Sequence, residues 1–317
     1  MELKRIKKTI KRDIAFYSMK MFCVILRFMP KNCICAVGDF IAGIGYFIAI
    51  RHRRIARESL NIAFGKEKNE KEITRIIKDC FKNMTKSMFE MLASLDSAPV
   101  LGRMVNIEGK EYLDEALKKK KGVIMISGHF GSFPLLLTKL ALLRYPVNVV
   151  VRKLRDDKAD EYFDRKRIAL GVKSIYTNPK ALCVKSSIDA LRDNEIVFML
   201  MDQNFGSGAG VFVDFFGRKA ATATGPIIFA LRTEAPIVPA FIFREKNNNH
   251  RLVIEPELIL EHREDRDEMV KVNVARITAI IERYIRLYPA EWGWIHRRWK
   301  SRPGKNSDVS GGLSNTD

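Results

Sequence analysis

From Val123 onward the chain repeats one arrangement: a short apolar segment, a break, then a helical segment with a polar face. Val123-Ile124-Met125-Ile126-Ser127 shows no alternation of polar and apolar residues, so as a strand it must be covered on both faces. Further strands are expected over Val147–Val151, 174–176, 196–201 and 237–243. Helices are expected over 134–144, 156–170, 181–192 and 225–232. Strands alternating with helices over short connections predict an α/β fold with a mostly parallel sheet flanked by helices. Val105–Glu108 is a further short strand, 252–255 pairs antiparallel with 237–243, and 267–288 is a long helix. A helix over 111–120 is stopped by Gly122.

The first hundred residues follow a different rule. Residues 1–12 are basic and amphipathic, with Lys4, Arg5, Lys7, Lys8, Lys11 and Arg12. An apolar stretch over 14–30 is interrupted only by Lys20 and Arg27, which share a helix face because they lie seven apart. A second, over 33–50, carries only Asp39 and is followed by Arg51, His52, Arg53, Arg54 and Arg57. Each stretch is close to the shortest that spans a bilayer. Positive charge at both ends of the pair fits both ends being cytosolic. The helices either span or dip into the membrane, or lie in its interface with Lys20 and Arg27 reaching for headgroups. Residues 51–64 read as helix, and 67–94 as a long amphipathic helix with an apolar stripe from Ile73 to Leu92. The expected division is a membrane-associated helical region over 1–100, an α/β domain over 101–305 and a flexible tail over 306–317.

Composition narrows the partners. With 56 Lys+Arg against 37 Asp+Glu, the formal net charge is +19, which favours anionic partners. No zinc knuckle, helix-turn-helix or RNA-recognition signature accompanies that charge, so nucleic acid is not expected. The five cysteines are scattered and read as reduced thiols, mostly buried. Cys33 and Cys35 have no nearby His or acidic ligands, so no metal site is expected.

The strand Val123–Ser127 runs into Gly128-His129-Phe130-Gly131-Ser132-Phe133-Pro134. A histidine at the carboxyl end of a buried strand, ahead of a helix, stands where α/β folds place ligands. The flanking glycines admit a close approach, and neutral imidazole can take a proton from an alcohol. On these residues alone, a structural histidine at a strand end stays open as the simpler reading.

Five more segments extend the pattern: Val150-Val151-Arg152-Lys153, Met201-Asp202-Gln203-Asn204, Val211 to Gly217 with Phe215-Phe216-Gly217, Ala230 to Pro239, and Trp292-Gly293-Trp294-Ile295-His296-Arg297-Arg298-Trp299-Lys300. In this order, and over residues 30–303, the chain resembles the late acyltransferases of lipid A biosynthesis. That resemblance implies a glycerol-3-phosphate-acyltransferase-like α/β fold on the cytoplasmic face of a Gram-negative inner membrane. It implies transfer of a fatty acyl chain from acyl carrier protein, or CoA, to a hydroxyl of a phosphorylated glycolipid. No cofactor is implied, because the acyl thioester is itself a substrate. An acidic carrier protein, a phosphorylated acceptor and an anionic membrane all suit a basic surface.

The resemblance also implies roles. His129 is the general base. Gly131 or Ser132 supplies backbone N–H groups to the oxyanion, and Arg152 holds a phosphate or phosphopantetheine. Asp202 supports His129, with Gln203 beside it binding substrate, and Phe216 lines the acyl channel. Arg297, Arg298 and Lys300 beside Trp292, Trp294 and Trp299 form a basic aromatic surface for the membrane boundary.

One position departs from the family pattern, in which an acidic residue follows the histidine by five positions. Here that position is Pro134, which cannot orient an imidazole. Asp202 orients His129 instead, or Ser132 holds the ring, or the chain is a catalytically impaired lipid-binding homologue. The acceptor is equally open to a lysophospholipid or an amino-lipid.

Overall fold

The computed structural model describes residues 2–206 and 210–303; the tail expected over 306–317 lies outside the described residues. Four helices come first: α1 (Glu2–Phe28), α2 (Lys31–Ile48), α3 (Ile50–Phe64) and α4 (Glu70–Gly102). Pro30 separates the two apolar stretches at the N-cap of α2. A capping box starts α4: Asn69 Oδ1 accepts the N–H groups of Lys71 and Glu72, and the Glu72 carboxylate accepts the Asn69 N–H at 2.8 Å. The helix continues to Gly102, eight residues past its expected end.

The α/β region follows as β1 (Val105–Glu108), α5 (Lys110–Lys118), β2 (Val123–Ser127), α6 (Phe133–Leu142), β3 (Val147–Val151), α7 (Asp157–Ala169), β4 (Val172–Tyr176), α8 (Lys180–Arg192) and β5 (Ile196–Leu200). Then come β6 (Gly210–Phe215), β7 (Arg218–Ala223), α9 (Gly225–Thr233), β8 (Ile237–Arg244), β9 (His250–Ile254) and α10 (Arg266–Leu287). Seven strands form one sheet in the order β1-β9-β8-β2-β5-β3-β4. All neighbours in it are parallel except β8 and β9, which run antiparallel as expected.

The apolar runs explain the layering. All five residues of β2 are buried. Ile124 and Ile126 join a core with α3, α9 and α10, while Val123 and Met125 join a second core with α1, α5 and α6. This is the period-two alternation of a strand covered on both sides. Each fully buried Val, Ile or Phe here contributes about 1.5–3 kcal/mol. The first helices share these cores: Ile73, Ile77 and Cys80 of α4 lie in one, Phe89 and Leu92 in the other.

A hairpin, β6 with β7, stands apart from the main sheet. Its two-residue turn is Phe216-Gly217, both with positive φ, at 53° and 69°. This pair was not expected from the sequence.

The outer faces of α1 and α2 are apolar and uncovered. Phe28 is 78% exposed and Phe47 72%, with Ile14, Met21, Phe40 and Ile48 also exposed. Among the described residues, α2 is the one helix long and apolar enough to cross a membrane.

Candidate active site

Register brings the central residues together. β2 pairs with β5 so that Ser127 stands opposite Leu200, and the Met201 N–H donates to the Ser127 carbonyl at 2.9 Å. The next residue, Asp202, therefore emerges beside the loop that follows β2. Its Oδ1 lies 2.7 Å from His129 Nδ1. Its Oδ2 accepts the His129 backbone N–H at 2.7 Å and the Trp292 indole N–H at 2.6 Å.

These contacts set the charges. Burial alone would raise the Asp202 pKa, but the His129 ring and the three N–H donors outweigh it and hold the carboxyl well below the usual range. An ionised carboxylate only accepts, so Nδ1 carries the ring proton and Nε2 its lone pair. The exposed Gln203 presents its amide nitrogen to that Nε2 at 3.1 Å. Burial pulls the His129 pKa down, but the Asp202 charge and hydrogen bond prevail and leave it raised. The His129 side chain is 23% exposed, the Asp202 side chain 0%.

The loop itself is fastened from behind by the chain just past α10. Phe130 forms an antiparallel bridge with Trp292. The Gly131 N–H donates to the Glu291 carbonyl at 3.0 Å, and the Gly293 N–H to the His129 carbonyl at 3.2 Å. Gly131 has φ +44°, and a Cβ there would lie 2.6 Å from the Ile242 carbonyl oxygen, so this position requires glycine. The Glu291 carboxyl accepts from the Asn83 amide at 3.0 Å through Oε1, while Oε2 is sealed from solvent without a hydrogen-bond partner. Burial pushes its pKa up to about 7, against the opposing attraction of Arg244.

Two of the three openings left by Pro134 now separate. Asp202 makes the contact to the ring. The Ser132 hydroxyl is buried and makes no hydrogen bond to the ring. The Gly131 N–H, expected to be free for an oxyanion, is engaged by Glu291; that of Ser132 enters no hydrogen bond among the described residues. Arg152 follows the end of β3, exposed and without an ion pair among the described residues. It stands two strands from β2 on the same sheet edge, about 10 Å away at ordinary strand spacing.

Phe216 is not brought to His129. It sits in the hairpin turn, packed edge-on to Phe64 at 5.3 Å and Phe215 at 5.0 Å. The basic aromatic surface expected near the C-terminus is also corrected. Trp292, Trp294 and Trp299 are buried, and so is Arg298, leaving only Arg297 and Lys300 exposed. The Arg298 guanidinium donates to the Ala221 carbonyl at 2.6 Å and to the Thr222 hydroxyl, pinning β7 beneath the site. Burial opposes the guanidinium's charge and lowers its pKa to about 10, which these acceptors only partly offset.

Two neighbours of the ring were not anticipated. Phe133 meets it edge-on at 5.5 Å, and the His296 ring lies 5.0 Å away. Burial lowers the His296 pKa, and the adjacent His129 charge lowers it further. His296 stood in a quoted motif, but nothing in its spacing tied it to His129.

A second histidine–carboxylate contact lies in the interior. Glu90 of α4 meets Arg244 through two oxygens, one at 2.7 Å, and lies 3.2 Å from His250 Nε2. Burial opposes its charge, yet the hydrogen bonds from His250 and Arg244 hold its pKa well below the usual carboxylate value.

Residues 4–301 match the sequence family of bacterial lipid A biosynthesis acyltransferases. Over 284 residues the chain is 24% identical to the lipid A biosynthesis palmitoleoyltransferase of Escherichia coli (strain K12), covering 89% of each chain. It is 23% identical over 279 residues to the lipid A biosynthesis lauroyltransferase of the same organism, covering 87% of this chain and 88% of that one. The phosphatidylinositol mannoside acyltransferase of Mycolicibacterium smegmatis (strain ATCC 700084 / mc(2)155) is 24% identical over 204 residues, covering 63% of this chain and 64% of that one.

Proposed function

The chain belongs to the bacterial lipid A biosynthesis acyltransferase family, and on that premise we propose that it moves a fatty acyl chain from acyl carrier protein to a hydroxyl of a phosphorylated glycolipid, with His129 as general base. The observation that carries this reading is the 2.7 Å contact of Asp202 with His129 Nδ1, which leaves the Nε2 lone pair on the partly exposed side of the ring. In the first step the acceptor hydroxyl gives its proton to Nε2 while its oxygen bonds to the thioester carbon. The carbonyl oxygen takes up the negative charge, near the Ser132 N–H at the amino end of α6. As the tetrahedral intermediate collapses, the carbon–sulfur bond breaks and the thiolate takes the proton from the imidazolium.

Asp202 keeps the ring in the productive tautomer and balances its charge when protonated. The proline at 134 is therefore compatible with turnover. Gln203 occupies the Nε2 lone pair until an acceptor hydroxyl replaces it. Arg152, exposed at the same sheet edge and without an ion pair among the described residues, holds a phosphate of the acceptor or the phosphopantetheine of the donor. The uncovered apolar faces of α1 and α2, with Lys20, Arg51, Arg53 and Arg54 nearby, seat the enzyme on the cytosolic side of the inner membrane.

The test supplies purified protein with radiolabelled acyl carrier protein or acyl-CoA and extracted membrane lipids. Label is expected in a glycolipid band, with His129→Ala removing it. Mass spectrometry of lipids from cells with and without the protein identifies the acceptor by a mass difference of one acyl chain. Label in a lysophospholipid or an amino-lipid replaces the glycolipid assignment. Label transferred at full rate by His129→Ala removes the base assignment.

A further inference from the structure

We propose that Trp292 is a positioning residue for the reaction: its indole N–H fixes the rotation of the Asp202 carboxylate so that Oδ1 faces His129 Nδ1. The proposal rests on the general-base reading of His129 above.

The geometry that points to Trp292 begins with where the acid comes from. Asp202 follows a different strand from the one that leads to His129, so no single turn of chain sets the angle between them. The carboxylate is wholly enclosed, and it meets three N–H donors with two oxygens. Two of those donors belong to His129 itself and move with it. The third, the Trp292 indole, is the donor from another part of the chain, and it is the shortest contact of the three at 2.6 Å. It occupies Oδ2, so the oxygen left for the ring is Oδ1.

Trp292 is itself held on three sides. Its backbone bridges Phe130, its carbonyl accepts the Cys80 thiol of α4 at 3.1 Å, and its ring meets Trp294 edge-on at 4.6 Å. The same residue thus fastens the loop that carries the base and the side chain that orients it. An enclosed carboxylate deprived of one donor turns to share what remains, at the expense of its alignment with the ring.

The experiment uses the full chain in detergent micelles with two variants. Trp292→Phe removes the donor, and Trp292→3-benzothienylalanine removes it while keeping the bicyclic shape, so that one variant retains the packing. The first readout is the low-field proton resonance of the His129 Nδ1–H, identified by its absence in Asp202→Asn. Both variants are expected to broaden it or move it upfield. The second readout is acyl transfer from radiolabelled acyl carrier protein to extracted lipids. Removal of the donor is expected to lower kcat about tenfold with KM unchanged, the value of one buried hydrogen bond to a charged group. On the Asp202→Asn background the same substitution is expected to cost nothing further, because its effect runs through that carboxylate.

An unchanged resonance in the benzothienyl variant overturns the proposal, as does an equal loss of kcat on both backgrounds. If the parent protein transfers no acyl chain while the resonance still responds, the acyltransfer reading fails and the positioning role stands.

Discussion

Among the described residues two histidines meet carboxylates, and only one of them is partly exposed. His129 and Asp202 meet at the carboxyl edge of the sheet, with the second ring nitrogen toward the partly open side. His250 and Glu90 meet inside the molecule, where both side chains are sealed and Glu90 already has a counter-ion in Arg244. The same residue types therefore serve opposite ends. In the first pair the carboxylate is hydrogen-bonded by the His129 ring and backbone and the Trp292 indole, and by no guanidinium among the described residues, so its field acts first on the proton affinity of that ring. In the second, a guanidinium absorbs the charge and the contact joins α4 to β8 and β9. A histidine–carboxylate pair gains a catalytic reading from an accessible second nitrogen and a carboxylate whose hydrogen bonds are not taken by a guanidinium.

That contrast can be broken or sharpened by experiment. The largest effect is expected from His129→Ala, with a loss of about 10²–10⁴-fold in acyl transfer and only a modest fall in stability, because the buried Asp202 keeps a backbone N–H and the Trp292 indole. A stability loss as large as that of removing Glu90 erases the distinction between the pairs. Glu90→Ala should behave in the opposite way. It leaves Arg244 buried without its partner and should cost about 3–5 kcal/mol in denaturant unfolding, while activity per folded molecule is kept. Glu291, lying between the two centres, supplies a third test. Its folded pKa of about 7 stands above the ordinary 4.5, so the protonated form is the one that folding favours. The stability it contributes is complete below pH 4.5 and is lost as pH rises through 7. Glu291→Gln should thus stabilise the protein by about 2–3 kcal/mol at pH 8 and hardly at all at pH 4. The smallest effect is in the pH profile. Because Asp202 raises the His129 pKa, kcat/KM should fall about tenfold per pH unit on the acid side, from a midpoint above the ordinary histidine value. Asp202→Asn should move that midpoint down; no movement means another group sets the limb.

The sheet was legible because β2, β5 and β8 are apolar without interruption, a pattern that soluble helices and half-exposed strands do not share. Asp202 was legible as a candidate because it follows such a strand, although register alone pairs it with His129. The hairpin was hidden by its turn. Phe216-Gly217 places a bulky residue at positive φ, where Asn or Asp would have signalled the bend. The tryptophans near the C-terminus were misread for a related reason. Arg298 and Trp299 suit a membrane boundary by composition, yet here the arginine finds backbone and hydroxyl acceptors that let it be buried. Which of those environments applies depends on β7, a distant part of the chain. Glu291 escaped notice, and the contact of Trp292 with Asp202 went unread, for the same cause: their partners are the turns after β2 and β5.

The fastening of the His129 loop by residues 291–293 has a temporal consequence. Ribosomes emit proteins amino end first, and domains gather as they emerge. The apolar helices α1 and α2 are thus translated before the sheet, whereas the strap that braces the His129 loop follows every strand of it. A nascent polypeptide halted at residue 288 would possess His129 and Asp202 yet lack the clasp that joins them.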